Sequence, residues 1–312
     1  MVVIFTNDLE EFVFSMHAHH QCDEMIVLSG YIGPTPVERL THLPISTKVI
    51  YGMYPEELIH ERLHDILCGL HVTNHEIYYS NIPVHSKVYL LRRAGVTIYA
   101  LSGSANFTMR GLNINGREIL SEITGANLLQ LNDYVERILL NATQCINIAS
   151  TGGIVRHGFS VFSTPTEVCE MVLYDPATGQ TQQSSGLNWG FGAGNTTLGD
   201  ACIPIRADHI RSFSNLFPPK VGIQGNQPVE LIWDDGVVMS GLLEGSQTIS
   251  NIRYPKQISS FGDKSILGTY MRRRLGLSPT AQISRAHLTN YGRDTVDVSL
   301  IRNGVYYLDF SI

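Results

Sequence analysis

Near residue 150 the apolar periodicity of the chain changes, and no single domain plan accommodates both sides of that change. Upstream, short apolar runs alternate with helix-like stretches. Met25–Leu28 and Lys48–Tyr51 have the length and composition of strands, and Pro55–Leu70 reads as one amphipathic helix between strands. Three further strand-like runs follow, Glu76–Tyr79, Ser86–Leu91 and Val96–Leu101, with Ala94-Gly95 as a tight turn between the last two. Leu128, Leu129, Leu131, Val135, Ile138 and Leu139 then give Ala126–Asn141 the spacing of a helix. This rhythm predicts an α/β domain over residues 1–155, a mixed sheet flanked by helices.

From about Ser150, Gly, Ser, Thr and Pro become frequent and the helical period is lost, which places a linker near 150–165. Downstream, Cys202–Ile205, Val229–Trp233, Val237–Leu242, Val296–Ile301 and Val305–Phe310 read as strands, with Asp235-Gly236 and Asn303-Gly304 as hairpin turns. Two short helices, near Arg206–Leu216 and Ser265–Leu275, are expected to interrupt a mostly β domain over residues 165–312. The Gly-, Ser- and Gln-rich stretch Gln180–Gly194 reads as a mobile loop.

Composition narrows the class. The 312 residues are about twice a usual domain. With 43% hydrophobic and 16% charged residues the chain is too apolar for intrinsic disorder. It lacks an apolar run near 18 residues, so no membrane span is expected. The start, Met-Val-Val-Ile-Phe-Thr-Asn-Asp, lacks the pattern of a secretory signal, and a cytoplasmic protein is expected. Cys22, Cys68, Cys145, Cys169 and Cys202 are odd in number and without CxxC spacing, which points to buried free thiols rather than zinc ligands. Residues 1–165 carry 10 basic and 15 acidic side chains and residues 166–312 carry 12 and 13, for a total of −6. That balance argues against a generally sticky basic protein. It leaves phosphate binding open, because that depends on local clustering of Lys and Arg.

The segment Val84-His85-Ser86-Lys87-Val88 and, after a hairpin, Ser102-Gly103-Ser104-Ala105-Asn106-Phe107 hold the densest chemistry. Two residues apart on a strand, His85 and Lys87 share a face, and an imidazole beside an ammonium is a nucleophile beside an anion-holding cation. The return strand brings a hydroxyl, a carboxamide and Gly-freed backbone amides to the same sheet end, donors that suit a phosphoryl oxygen. Asn106 is also placed to open a helix. The other histidines are weaker candidates. His17, His19 and His20 read as a solvated helix face, and His60, His64, His71 and His75 lack an HExxH pattern.

The ordered pair His85-x-Lys87 and Gly103-Ser104-x-Asn106 resembles the phospholipase D superfamily, in which the first motif continues through four residues to an Asp. Here Arg92 occupies that position. The resemblance implies a phosphohistidine intermediate, no metal and no cofactor. It further implies that Glu118 orients the histidine. The missing Asp points away from the lipid hydrolases of the superfamily. This chemistry uses two histidines, one attacking phosphorus and one protonating the leaving oxygen. A single motif set therefore implies a homodimer with one composite site on a two-fold axis.

In the second half, Gly186-Leu187-Asn188-Trp189-Gly190, Ala201-Cys202-Ile203-Pro204-Ile205, Asp234-Asp235-Gly236, Leu267-Gly268-Thr269-Tyr270, Tyr291-Gly292-Arg293 and Tyr306-Tyr307-Leu308-Asp309-Phe310 occur in an order that resembles the NgoFVII-like type II restriction endonucleases. Their C-terminal domain is a pseudobarrel similar to the plant B-three-type DNA-binding domain, which grips the major groove with two arms. The resemblance implies double-stranded DNA as partner, a first arm in 186–197 and a second in 246–264. Candidate contacts are Asn188, Trp189, Asn195, Arg253, Lys256, Gln257 and Lys264, and Arg272, Arg273 and Arg274 read as either a phosphate-facing or a solvated helix surface. Trp189 is equally suited to anchor a core. Three other readings stand beside site-specific cleavage. One is a lipid phosphohydrolase, which requires an apolar surface for acyl chains. Another is a nuclease subunit that depends on a partner ATPase or helicase, and the third a binding module with a dead centre.

Overall fold

The computed structural model describes residues 3–148, 162–163, 167–220 and 225–312. The chain divides into two compact units, Met1–Thr164 and Pro165–Ile312. Most of the linker expected at 150–165 lies outside the described residues.

The first unit runs β1 (Ile4–Phe5), α1 (Leu9–His20), β2 (Glu24–Ser29), α2 (Pro34–Leu40), β3 (Ser46–Tyr51), α3 (Tyr54–Glu57), β4 (Ile59–His60), α4 (Glu61–Leu70), β5 (His75–Ser80), β6 (Lys87–Arg93), β7 (Val96–Gly103), α5 (Met109–Leu112), β8 (Leu120–Ile123), α6 (Ala126–Leu140), β9 (Ala142–Gln144), a 3-10 turn at Cys145–Asn147 and β10 (Phe162–Ser163). Eight of these strands form one mixed sheet in the order β1-β8-β7-β6-β2-β3-β5-β9. Strands β2, β3 and β5 are parallel, and the other neighbours are antiparallel. Side chains alternate across the pleat. On one face Ile26, Leu28, Ile50, Val88, Leu90 and Ala100 pack under Val135 and Ile138 of α6. On the other, Tyr89 meets Phe107, which in turn meets Phe14 of α1.

The single helix expected over Pro55–Leu70 is interrupted. Leu58 sits at φ 56, where an L side chain is strained. Its amide is held by the Tyr54 carbonyl and its own carbonyl by the Tyr51 hydroxyl. The two residues after it pair with Phe162–Ser163 as a parallel bridge, and His60 caps α4 by accepting from the Arg62 amide. Apolar periodicity does not register such a break, which rests on hydrogen bonds between residues that the spacing does not encode.

The second unit runs β11 (Val168–Val172), a 3-10 helix at Gly186–Phe191, β12 (Ile203–Pro204), α7 (Ala207–Ser212), β13 (Gln227–Trp233), β14 (Val238–Glu244), β15 (Gln247–Ile249), β16 (Ile252–Tyr254), β17 (Gln257–Ser260), α8 (Ser265–Arg274), α9 (Arg285–Tyr291), β18 (Thr295–Arg302) and β19 (Val305–Asp309). Its seven-stranded sheet has the order β11-β18-β19-β13-β14-β17-β12. All neighbours are antiparallel except β13 and β19. The sheet curls into a nearly closed barrel around Trp233, Phe217, Tyr306 and Phe310. Arg206, just after edge strand β12, spans the seam: its guanidinium donates to the carbonyls of Val172 and Tyr174 at the end of the opposite edge, at 3.2 and 2.6 Å. The unpaired edges of an open sheet are thereby bridged by a side chain.

Three expectations for this unit change. The strand at Cys202–Ile205 contracts to two residues, and a third helix, α9, is present with Ser284 and His287 as a capping box. The stretch expected to be a mobile loop contains an ordered 3-10 helix, with Asn188 buried. The Asn188 amide donates to the carbonyls of Gln182 and Ile283, and its Oδ1 accepts from the Ile283 amide. Arg272 is fully buried, donating to the carbonyls of Ala281, Gly199 and Leu187 at 2.7, 2.9 and 3.1 Å. Both side chains satisfy backbone groups of their own barrel and are not available to DNA, which corrects two of the candidate contacts.

No helix among the described residues is long and apolar enough to cross a membrane. Arg272→Ala leaves three buried carbonyls without donors, so urea unfolding is expected to show the second unit destabilised by about 3–5 kcal/mol. A change under about 1 kcal/mol would mean that water replaces the guanidinium.

Candidate active site

Strand register gathers the motif residues at one sheet end. Ser29 of β2 lies opposite Lys87 of β6, Val88 opposite Ser102 of β7, and Gly103 opposite Leu120 of β8. The segments beyond this row are Gly30-Tyr31, Ser104-Ala105-Asn106 and, on the approach, His85 and Glu118. His85 itself precedes β6 rather than lying in it. Even so, the Lys87 ammonium sits 2.9 Å from His85 Nδ1 and 3.2 Å from Nε2, and it donates to the His85 carbonyl. Lys87 is only 5% exposed. Burial lowers its pKa, and the Glu118 carboxylate works in the opposite direction.

Asn106 does not open a helix. The short α5 begins after Thr108, whose hydroxyl accepts from the Gly111 amide. Asn106 is instead held by its carbonyl oxygen, which accepts from the Tyr31 amide at 3.1 Å and lies 3.4 Å from the Ser29 hydroxyl. That bonding leaves the carboxamide N–H groups to donate. Ser104 accepts from the Ile119 amide at 3.1 Å and keeps its own proton for donation. Beneath the pair lies Gly30: a methyl there would come within 3.0 Å of His85 Cδ2 and 3.4 Å of Asn106 Oδ1. The imidazole and the carboxamide thus both pack against a backbone bare of side chain. The Tyr31 ring stands edge-on to His85 with centroids 5.7 Å apart.

Sequence reasoning missed Ser29, Gly30 and Tyr31. The Ser29 hydroxyl donates to the Tyr31 carbonyl at 2.6 Å and accepts from the Phe107 amide at 2.9 Å. The available signal is a Ser-Gly pair closing the apolar run Met25–Leu28, where a hydroxyl has no reason to be buried unless it has partners.

Glu118 and Arg92 have ion-pair partners away from His85. Glu118 pairs with Arg117 at 3.4 Å and makes no hydrogen bond with His85, so its influence reaches the site through the charge of Lys87. Arg92, at the superfamily's Asp position, sits at the far end of β6, where it pairs with Glu24 and Glu136 and donates to Asn132. The other histidines are spent elsewhere. His17 contacts the Phe14 carbonyl, His20 stacks on Tyr99 and His75 bonds Thr47.

In the second unit, Asn195, Arg253 and Lys256 are exposed and Trp189 is half-buried. Arg253 lies on β16 and donates to Ser246 at 3.2 Å. The β15–β16 hairpin that carries it turns at Ser250 and Asn251, both at positive φ. Gln257 and Lys264 converge on Glu244, each at 3.2 Å, so their polar ends are committed within the barrel. Arg273, read from sequence with Arg272 and Arg274 as a phosphate-facing or a solvated helix surface, keeps 64% of its side chain exposed beside buried Arg272.

Gly30→Ala is expected to push the His85 ring and the Asn106 carboxamide apart while leaving the sheet intact. Histidine-selective NMR should show the His85 signals moved, with circular dichroism unchanged. Unmoved His85 resonances would mean that the ring does not lie against Gly30.

Comparison with known proteins finds two matches that follow one another along the chain. The family described as NgoFVII restriction endonuclease N-terminal PLD domain matches residues 7–150. The family described as NgoFVII C-terminal B3-like DNA-binding domain matches residues 162–302. Among solved structures, NucT from Helicobacter pylori is 13% identical with a TM-score of 0.34, over 46% of this chain and 98% of that one. Nuc from Salmonella typhimurium, a phospholipase D family member, is 14% identical with a TM-score of 0.32, over 46% of this chain and 97% of that one. The polyphosphate kinase from Porphyromonas gingivalis is 12% identical with a TM-score of 0.31, over 46% of this chain and 23% of that one. No curated protein matches significantly. With a PLD nuclease domain followed by a B3-like DNA-binding domain, the chain belongs to the NgoFVII family of restriction endonucleases and is a DNA nuclease.

Proposed function

We propose that the protein is a type II, site-specific endonuclease of the cytoplasm that cuts double-stranded DNA without metal, through a phosphohistidine, at a site completed by two copies of the chain. The observation that carries this reading is the Lys87 ammonium against the His85 ring, with His85 and Asn106 both lying against the bare Cα of Gly30. A nucleophile, a cation and an amide donor there face a common space with no side chain beneath it.

A ring nitrogen of His85 attacks phosphorus, and the bond from phosphorus to the departing sugar oxygen breaks. That oxygen takes a proton from the His85 of the partner subunit. Water then displaces His85 from phosphorus, giving its proton to the second imidazole and restoring both rings. Lys87 and Asn106 hold the nonbridging oxygens as charge builds on them, with Ser104 as a further donor. Glu118 acts on Lys87: a carboxylate near a buried ammonium favours the charged form that the phosphate needs. The homodimer follows from the requirement for two imidazoles, since this site gathers one.

In the second unit we assign DNA contact to Trp189, Asn195, Arg253 and Lys256, with Arg253 presented on the β15–β16 hairpin. Gln257 and Lys264 shape that surface through Glu244.

Purified protein alone is expected to cut plasmid DNA into discrete fragments, with cutting undiminished in EDTA. His85→Ala should abolish cutting while sequence-specific binding stays within about twofold. Mixing it with wild-type chains should depress cutting in proportion to mixed dimers. Absolute dependence on magnesium, or wild-type rates from mixed dimers, would overturn the mechanism. Arg253→Ala is expected to weaken DNA binding by about 1–3 kcal/mol with cutting of bound DNA unchanged, read by gel shift and single-turnover kinetics.

A further inference from the structure

Away from the motif residues, α4 and the 3-10 turn after β9 bring two thiols and two imidazoles together. Cys68 lies near the end of α4 and is half-buried, whereas Cys145 opens the 3-10 turn and is fully buried. The Cys145 thiol reaches the Leu67 carbonyl, one residue before Cys68, at 4.0 Å, which brings the two sulfurs close enough for each to shift the titration of the other. His64, one helical turn before Cys68, brings its Nε2 within 3.5 Å of that sulfur, and His71 Nδ1 lies 3.7 Å from the sulfur of Cys145.

Such a set invites a metal reading, but the imidazole nitrogens are turned to other partners. His64 Nδ1 bonds the Tyr79 hydroxyl at 3.0 Å and its Nε2 the Ile148 carbonyl at 3.1 Å. His71 Nδ1 accepts from the Ile77 amide at 3.0 Å. Among the described residues no group of three or more His, Cys, Asp or Glu is arranged to hold a metal ion. What remains uncommitted is the chemistry of the two sulfurs.

We propose that Cys68 and Cys145 are an oxidation site, in which peroxide oxidises Cys68 and Cys145 closes the disulfide. The Cys68 thiolate attacks one oxygen of hydrogen peroxide, forming an S–O bond and breaking O–O, and hydroxide leaves. The Cys145 sulfur then displaces that hydroxyl from the sulfenic acid, its proton leaving with it as water. Over both steps two thiols lose two electrons and peroxide is reduced to two waters. The asymmetry of the pair sets the order of attack. The neighbouring Cys145 thiol and His64, whose Nε2 lies 3.5 Å from the sulfur, draw the Cys68 thiol well below its ordinary pKa against the effect of burial. Cys145 is pushed up by the neighbouring Cys68 sulfur and by burial. A reagent reaches the half-buried sulfur first and the buried one resolves it. The bond would staple the end of α4 to the turn following β9.

The test treats the full-length protein with stoichiometric hydrogen peroxide, alkylates the remaining thiols and reads intact and peptide masses. Wild type should lose two of its five alkylatable thiols and yield a Cys68–Cys145 linked peptide. Loss should be on the order of tenfold faster than any oxidation at Cys22, Cys169 or Cys202. Cys145→Ser should stop at a dimedone-reactive sulfenic acid on Cys68, and Cys68→Ser should keep its remaining thiols. Thiols oxidised at equal rates, no linked peptide from wild type, or stoichiometric zinc in the isolated protein would each overturn the proposal. The wild-type measurement decides this even where a variant does not fold.

Discussion

The bond from the Phe107 amide to the Ser29 hydroxyl, 2.9 Å long and buried, joins the end of β2 to the turn after β7. Around it run the Tyr31 amide to Asn106, the Gly33 amide to the Phe107 carbonyl and the Tyr89 hydroxyl to the Ala105 carbonyl. Each is worth about 1 kcal/mol net, but leaving any of the buried groups unpaired costs more. Together they fix the Asn106 carboxamide with its oxygen turned inward and its N–H groups outward. Gly103 lets the strands close below it, since a methyl there would fall 2.0 Å from the Ile119 carbonyl. The sheet end is thus set by backbone approach, and the reactive side chains inherit their placement from it.

The two units use their cations differently from a reading by composition. Arg92, Arg206, Arg272 and Arg274 are absorbed by the fold. Arg274 alone contacts Asp234, Tyr270, Tyr291 and the Phe310 carbonyl. What is left for a polyanion is a small exposed set, with Arg253 and Lys256 prominent in the second unit. An acidic protein can act on DNA when a few well-presented charges face the duplex, because affinity follows the number of phosphates contacted rather than net charge.

Much of this was legible in the residues themselves. The short apolar runs located β2, β3, β5, β6 and β7, and the turn dipeptides located the hairpins at Ala94-Gly95 and Asp235-Gly236. The His85/Lys87 and Ser104/Asn106 segments converge because a hairpin returns its second strand to where the first began. The unread parts share one physical cause: they depend on which side chain satisfies which distant carbonyl. Neither Asn188 nor Arg272 announces in sequence that its partners lie some 85–95 residues away, at Leu187 and Ile283. The break at Leu58 and the place of Ser29 have the same origin, in hydrogen bonds that local pattern does not encode.

The central claim is that phosphorus passes through a covalent bond to His85, which makes cleavage two in-line displacements instead of one. Stereochemistry at phosphorus reports this directly. A cognate duplex with a single chiral phosphorothioate at the scissile position, cut in oxygen-18 water, should give product with net retention of configuration. Net inversion would mean that water attacks DNA in one step, and the phosphohistidine account would be wrong.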